Sequence, residues 1–148
     1  MENCEDGICQ PSDLRTPEIK DEKRKNQEVI YVGDPMCSWC WGISKQPFGD
    51  KLFELDHFDY DTEPSCRAVV TAKHFLDMGG VSSFFEEVQR KFYVENEDPK
   101  EAAFYQSICE KLNVDFGYFR KLFDSAETAN ATHEEFVLNR KWGVSGYP

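Results

Sequence analysis

One segment of this chain has the composition of a β-strand, and two cysteines follow it almost at once. Residues 28–33 are mostly β-branched or aromatic, and they end at Gly33-Asp34-Pro35, which is typical of a turn. Beyond residue 63 the apolar side chains recur with helical spacing instead. A single strand cannot pair its own backbone donors and acceptors, and the sequence barely offers partner strands. The chain is therefore predicted to be mostly helical, with an incomplete sheet.

The two cysteines belong to a Cys-x-x-Cys motif, Cys37-Ser38-Trp39-Cys40, at the start of a short helix predicted over 37–44. At a helix N-terminus, the unsatisfied N–H groups and the positive end of the helix dipole favour thiolate over thiol. The spacing lets Cys40 turn back onto Cys37. We therefore expect Cys37 to attack a disulfide and Cys40 to resolve the mixed disulfide that forms.

The same motif could also be half of a four-thiolate zinc site. Cys4 and Cys9 near the N-terminus could supply the other two ligands. Trp39 and Trp41 on either side of Cys40 argue against this, because zinc knuckles usually contain small turn residues. We expect no bound metal and no cofactor, although the zinc site remains an alternative.

Five helices are predicted after residue 63. The first covers about 64–78, with Pro64 in its first turn and Gly79-Gly80 at its end. The next three helices are predicted to begin at caps: Ser82 or Ser83, Asp98 before Pro99, and Asp115. The last helix is predicted from Glu127 to Trp142, with Gly143 at its end. Core candidates on the last helix are Phe136, Val137 and Trp142.

Composition and charge restrict the partners of the chain. The 148 residues carry a formal net charge of -11, and such an acidic surface repels nucleic acids and anionic membranes. The first residues lack the basic and apolar regions of a secretory signal peptide, so we expect a cytoplasmic protein. In that setting the six cysteines indicate redox or metal use of some of them rather than a disulfide framework. Cys66 and Cys109, on predicted helices, are interpreted as buried apolar side chains.

Three ordered segments resemble proteins of the DsbA family. Residues 29–42 resemble the family's active-site segment and are most similar to its cytoplasmic FrnE-like branch. Residues 61–70 resemble the helical insertion of that branch, and residues 142–148 resemble the loop that carries the family's cis-proline. The resemblance implies an α/β, thioredoxin-like fold with an inserted helical domain. It implies one domain 28–148, made of a redox strand and helix 28–45, a helical insertion 46–142 and a cis-proline loop 143–148. The polar, charged composition of residues 1–27 separately predicts a flexible extension.

The resemblance also implies the function and further site residues. In such folds the cis-proline faces the dithiol, and the residue before it presents backbone groups to a bound peptide. These roles carry over to Pro148 and Tyr147, and Trp39 is a third candidate for substrate contact. The implied substrates are proteins or peptides that contain disulfides or thiols, and the implied activity is that of a disulfide oxidoreductase or isomerase.

The chain departs from the family in two places. The family has a second strand and further helices at a point that corresponds to Lys45-Gln46, and it continues beyond Pro148 with two strands and a helix. We therefore expect an incomplete sequence, less stable than an intact relative. The alternative to an incomplete sequence is a natural shortened form. The alternative to the catalytic function is a non-catalytic helical interaction module in which the dithiol is vestigial.

Overall fold

The computed structural model describes residues 30–42, 47–49, 51, 54 and 59–146, with Trp39 described in its backbone alone. The chain divides into two compact units, residues 1–31 and residues 32–148. All helices of the described residues belong to the second unit. The domain boundaries inferred from the sequence, including the extension 1–27, stay predictions.

The described part of the second unit is helical. Its elements are α1 (Ser38–Gly42), α2 (Glu63–Ala72), α3 (Met78–Tyr93), a 3₁₀ helix (Ala102–Tyr105), α4 (Gln106–Lys111), α5 (Phe116–Phe123) and α6 (Ala126–Lys141). The prediction of a mostly helical chain is thus confirmed. Among these helices, none combines the length and the apolar character that crossing a membrane would require.

The strand predicted over 28–33 does not form in residues 30–33, and residues 28 and 29 lie outside the described residues. Ile30 and Tyr31 are 52% and 73% exposed, although a buried strand was expected. The physical reason is that a strand needs neighbours to pair its backbone, and the described ranges contain no other strand. The α/β expectation is therefore not met in the part of the chain that the structure covers.

The helix predicted over 64–78 is shorter than expected. Its start is correct, because α2 has Pro64 in its first turn. Its last residue, however, is Ala72, and a turn at 73–75 follows. Gly79 and Gly80, predicted to end this helix, instead lie in the first turn of α3.

Asp77 explains this difference, because it begins a new helix. Its backbone is extended, and its side chain accepts a hydrogen bond of 2.8 Å from the Gly80 N–H. Asp77 is therefore the N-cap of α3, and the prediction of Ser82 or Ser83 was wrong. A Cβ at position 80 would lie 2.9 Å from Cβ of Leu76, so the glycine allows the chain to turn closely here.

The later helix boundaries agree better with the sequence. Asp115 caps α5 as predicted, since its side chain accepts a 2.6 Å hydrogen bond from the Tyr118 N–H. Gly143 follows the end of α6 with a φ of 82°, a conformation that favours glycine. The helix expected to open at Pro99 starts later, because Pro99 lies in a turn and the 3₁₀ helix begins at Ala102.

Helix α2 packs against α3, α5 and α6, and one apolar core lies between the helices. The buried members of this core are Ala68, Ala72, Phe84, Val88, Phe104, Tyr105, Ile108, Cys109, Val114, Phe119 and Phe123. Helix α6 contributes Thr128 and Thr132 as its buried residues instead of the predicted apolar ones. Trp142 is 50% exposed. The prediction of Phe136, Val137 and Trp142 as core residues was wrong, because the buried residues of α6 lie in its N-terminal half.

Phe119 is the residue of α5 on which this core most depends. It is fully buried and its ring contacts those of Phe84, Tyr105 and Phe123. We expect Phe119→Ala to lower the free energy of unfolding by about 3–5 kcal/mol, because it leaves a cavity among these rings. Urea denaturation would measure this. The control is Tyr118→Ala at the adjacent exposed position, where a loss of comparable size would contradict the packing described.

Candidate active site

A tight turn over residues 34–37 leads into helix α1, at which the two cysteines of the motif lie. Asp34 accepts a hydrogen bond of 3.0 Å through its backbone carbonyl from the Cys37 N–H. Its side-chain Oδ1 accepts another, of 2.8 Å, from the Met36 N–H. Asp at the first position and Pro35 at the second are the residues that a turn of this kind prefers. The sequence Asp34-Pro35-Met36-Cys37 therefore encodes the turn locally.

Cys37 lies at the entrance of α1. The first residue of α1 is Ser38, and the Cys37 carbonyl accepts a hydrogen bond of 3.2 Å from the Trp41 N–H. Cys37 thus occupies the cap position of the helix, as predicted, and Cys40 follows within the same helical turn. Both cysteines are half-buried thiols. The partial exposure of Cys37 allows a reagent to reach it, and the spacing places Cys40 within one helical turn of it.

Two tyrosine hydroxyls hold the peptide bond that precedes Cys37. Tyr93, the last residue of α3, donates a hydrogen bond of 2.5 Å to the Met36 carbonyl. Tyr60, in the segment before α2, donates one of 3.0 Å to the same oxygen. The two hydroxyl oxygens are 3.2 Å apart. We call this arrangement of Met36, Tyr60 and Tyr93 the tyrosine clamp.

The rings around the clamp form a second, smaller core. Trp41 is almost fully buried and stacks on Tyr93, with ring centroids 5.9 Å apart. Phe48 meets the Tyr93 ring edge-on at 5.4 Å. The Trp41 indole donates to the Pro47 carbonyl at 3.4 Å. These contacts fix residues 34–42, which we call the redox loop, to the C-terminal end of α3.

Burial disfavours the charged forms of Asp34, Tyr60 and Tyr93. Desolvation raises the pKa of Asp34, although its hydrogen bonds to Met36 and Thr62 lower it in part. Burial also raises the pKa of Tyr93, and the nearby Tyr60 hydroxyl acts in the same direction. Desolvation raises the pKa of Tyr60, although the nearby Tyr93 hydroxyl lowers it in part, and the charges of Asp34 and Cys37 raise it further. The phenols therefore remain hydrogen-bond donors at neutral pH.

The other two cysteines of the described residues have a different character. Cys109 is fully buried in the main core, as predicted, and burial raises its thiol pKa to about 12. Cys66 is half-buried near the start of α2. Desolvation and the charge of Asp34 raise its thiol pKa strongly. Neither thiol ionises readily, so neither suits nucleophilic chemistry.

Several predicted site residues lie outside the described part of the chain. Tyr147 and Pro148 belong to this group, as does the side chain of Trp39. Cys4 and Cys9, the additional ligands of the alternative zinc site, also lie outside it. Within the described ranges, no group of three or more His, Cys, Asp or Glu side chains is arranged to hold a metal ion.

The sequence did not reveal the tyrosine clamp. Tyr60 lies in the segment 48–62, which shows no clear helical or strand pattern, and Tyr93 lies beside Phe92 in an ordinary apolar stretch of helix. The two side chains are 24 and 57 residues from Met36 along the chain. No periodicity or motif links positions so far apart, and only covariation among homologues could have indicated the contact.

The fold is similar to that of a solved structure. It is a crystal structure of a "putative protein disulfide isomerase" from Nitrosomonas europaea, with a TM-score of 0.71 and 28% sequence identity over 78% of each chain. No protein-family model matches the chain, and no curated protein sequence matches it. The structural similarity supports a thiol–disulfide oxidoreductase-like fold and, in general terms, an enzyme of the oxidoreductase type.

The four cysteines of the described residues should differ sharply in their reaction with iodoacetamide. At about pH 8, we expect alkylation of Cys37 and Cys40, while Cys66 and Cys109 remain unmodified because burial suppresses their thiolates. Mass spectrometry of proteolytic peptides would give the extent at each position. Protein unfolded in urea, in which all cysteines react, is the control. Alkylation of Cys109 as fast as that of Cys37 in the folded protein would contradict the burial described.

Asp34 should make the stability of the protein depend on pH. Because its native pKa is raised above the ordinary 3.8, the native state binds more protons than the unfolded state in the window above 3.8. The free energy of unfolding therefore falls as the pH rises through this window. Asp34→Asn keeps an oxygen acceptor for the Met36 N–H and cannot ionise. We expect this variant to gain stability relative to wild type between about pH 4 and pH 7.

Urea denaturation at several pH values would measure this difference. Asp61→Asn removes a negative charge from an exposed position and controls for the general effect of net charge. If the Asp34→Asn and wild-type stabilities changed in parallel over the whole range, Asp34 would not carry the raised pKa assigned to it.

Proposed function

We propose that the protein is a thiol–disulfide oxidoreductase or isomerase of the DsbA-like kind, most similar to the FrnE-like branch, with Cys37 and Cys40 as its redox pair. The observation that carries the proposal is the position of Cys37 at the cap of α1, with Cys40 one turn further on. The similarity to the Nitrosomonas europaea structure supports it.

The proposed reaction is a pair of thiol–disulfide exchanges. The Cys37 thiolate attacks one sulfur of a substrate disulfide, forms a mixed disulfide and releases the first substrate thiolate. The Cys40 thiolate then attacks the Cys37 sulfur and releases the second substrate thiol. Two electrons pass from the dithiol to the substrate, and the Cys37–Cys40 disulfide closes. Isomerisation follows when a substrate thiol resolves the mixed disulfide before Cys40 does.

The proposed substrates are proteins or peptides with disulfides or thiols, in the cytoplasm. Trp39, Tyr147 and Pro148 are the proposed substrate contacts, with Pro148 opposite the dithiol. Half-burial of Cys37 supports a substrate that approaches as an extended segment, because a folded surface reaches a recessed sulfur less easily.

Reduction of insulin disulfides by a thiol reductant would test the proposal. We expect the wild-type protein to accelerate the reaction, Cys37→Ser to abolish the acceleration, and Cys40→Ser to trap a mixed disulfide with the substrate, because the resolving thiol is missing. Turbidity measures the first two results, and non-reducing electrophoresis measures the third.

Cys109→Ser is the matched control, since Cys109 is a buried thiol outside the redox loop. Equal activity of wild type and Cys37→Ser would exclude the proposed role of Cys37. A wild-type protein without any activity would instead favour the helical interaction module with a vestigial dithiol.

A further inference from the structure

We propose that Tyr60 and Tyr93 are positioning residues for the redox pair, and that their two hydroxyls act jointly on the step in which Cys40 resolves the mixed disulfide at Cys37. The inference rests on the proposed function. It assigns a role in the exchange to two side chains that carry no redox chemistry of their own.

The geometry of the tyrosine clamp is the first step of the argument. Both hydroxyls donate to the Met36 carbonyl, at 2.5 Å from Tyr93 and 3.0 Å from Tyr60. In a trans peptide the carbonyl and the following N–H point in opposite directions. The Cys37 N–H accordingly points away from the tyrosines and donates to the Asp34 carbonyl. Hydrogen bonds to the Met36 carbonyl and from the Cys37 N–H thus fix the plane of the peptide bond between these two residues.

The shortness of α1 is the second step. The helix has five residues, and a helix of this length has no stability of its own in water. The orientation of the Cys37 and Cys40 side chains therefore depends on tertiary contacts. The clamp supplies a directional contact at the entrance of the helix, whereas the Trp41 ring supplies an apolar one further along it.

The two steps of exchange differ in how much they need this orientation. Attack by Cys37 on a small disulfide needs one accessible sulfur and no fixed partner. Attack by Cys40 on the Cys37 sulfur is intramolecular, and its rate depends on holding both sulfurs in line. Loosening of the peptide before Cys37 should therefore slow the second step much more than the first.

The burial of the Met36 carbonyl also predicts how the effects of removing the two hydroxyls combine. Met36 is almost fully buried, so its carbonyl is screened from water. Loss of one hydroxyl leaves the other donor in place. Loss of both removes both phenolic donors from a buried acceptor, and the cost of an unsatisfied acceptor exceeds that of one weakened bond. The effect of the double change should exceed the product of the single effects.

Stopped-flow reaction with the aromatic disulfide dithiobis(nitrobenzoate) would separate the steps in the full-length chain. The variants are Tyr60→Phe, Tyr93→Phe and the double variant, all with Cys4→Ser and Cys9→Ser so that the N-terminal thiols do not react. The first release of chromophore depends on reagent concentration and reports Cys37. The second is independent of concentration, is missing in Cys40→Ser, and reports resolution.

We expect the second phase to slow about two- to threefold in each single variant and about tenfold or more in the double variant, an effect of the order expected for an unsatisfied buried acceptor. The first phase should change less than about twofold, because it needs only an accessible sulfur. Tyr118→Phe, which removes an exposed hydroxyl on α5, is the matched control and should leave both phases unchanged.

Alkylation of Cys109 distinguishes loss of positioning from unfolding. The proposal requires Cys109 to stay protected while resolution slows. A wild-type rate of resolution in the double variant, or a double effect equal to the product of the single effects, would overturn it. If the double variant exposes Cys109, the single variants decide: slower resolution with Cys109 protected supports the proposal, and wild-type rates in both overturn it.

Failure of the proposed function gives a different result. In that case the wild-type chain itself shows no second phase beyond that of Cys40→Ser. A wild-type second phase that the tyrosine variants leave unchanged overturns only the positioning role.

Discussion

Two phenol hydroxyls converge on one buried carbonyl, and the redox loop depends on that interaction. The carbonyl belongs to Met36, immediately before Cys37, and its donors come from α3 and from the segment that leads into α2. Hydrogen bonds to a buried acceptor are costly to break because water cannot replace them. A helix of five residues that could not persist alone is thereby joined to a helical unit with its own core.

The features that could be predicted from the sequence are those encoded by neighbouring residues. Asp115 and Gly143 mark helix ends because a cap acts within a turn of its own position. The position of Cys37 just after the turn at Gly33-Asp34-Pro35 likewise predicts that it opens a helix. Asp77 shows how local reasoning fails: two adjacent glycines suggested a helix end, whereas the acidic residue before them starts a helix.

The features that could not be predicted depend on distant partners. Residues 30–33 have the composition of a strand, yet a strand forms only where another strand pairs with it, and the described residues provide none. The tyrosine clamp also depends on distant partners, but in this case the partners meet and the contact forms. Tyr93 would be an ordinary buried aromatic residue if the fold did not bring it to Met36, 57 residues away along the chain.

The clamp also links the order of the dithiol to the folding of the helices. The Met36 carbonyl keeps both donors only while α3 and the segment before α2 keep their mutual positions, and these depend on the aromatic core of the unit. Asp34 and both phenols lie in an environment that disfavours charge, so water entering the region would allow Asp34 to ionise more readily. Partial unfolding of the helical unit should therefore disorder the redox loop before it exposes Cys109, which lies in the main core away from that loop.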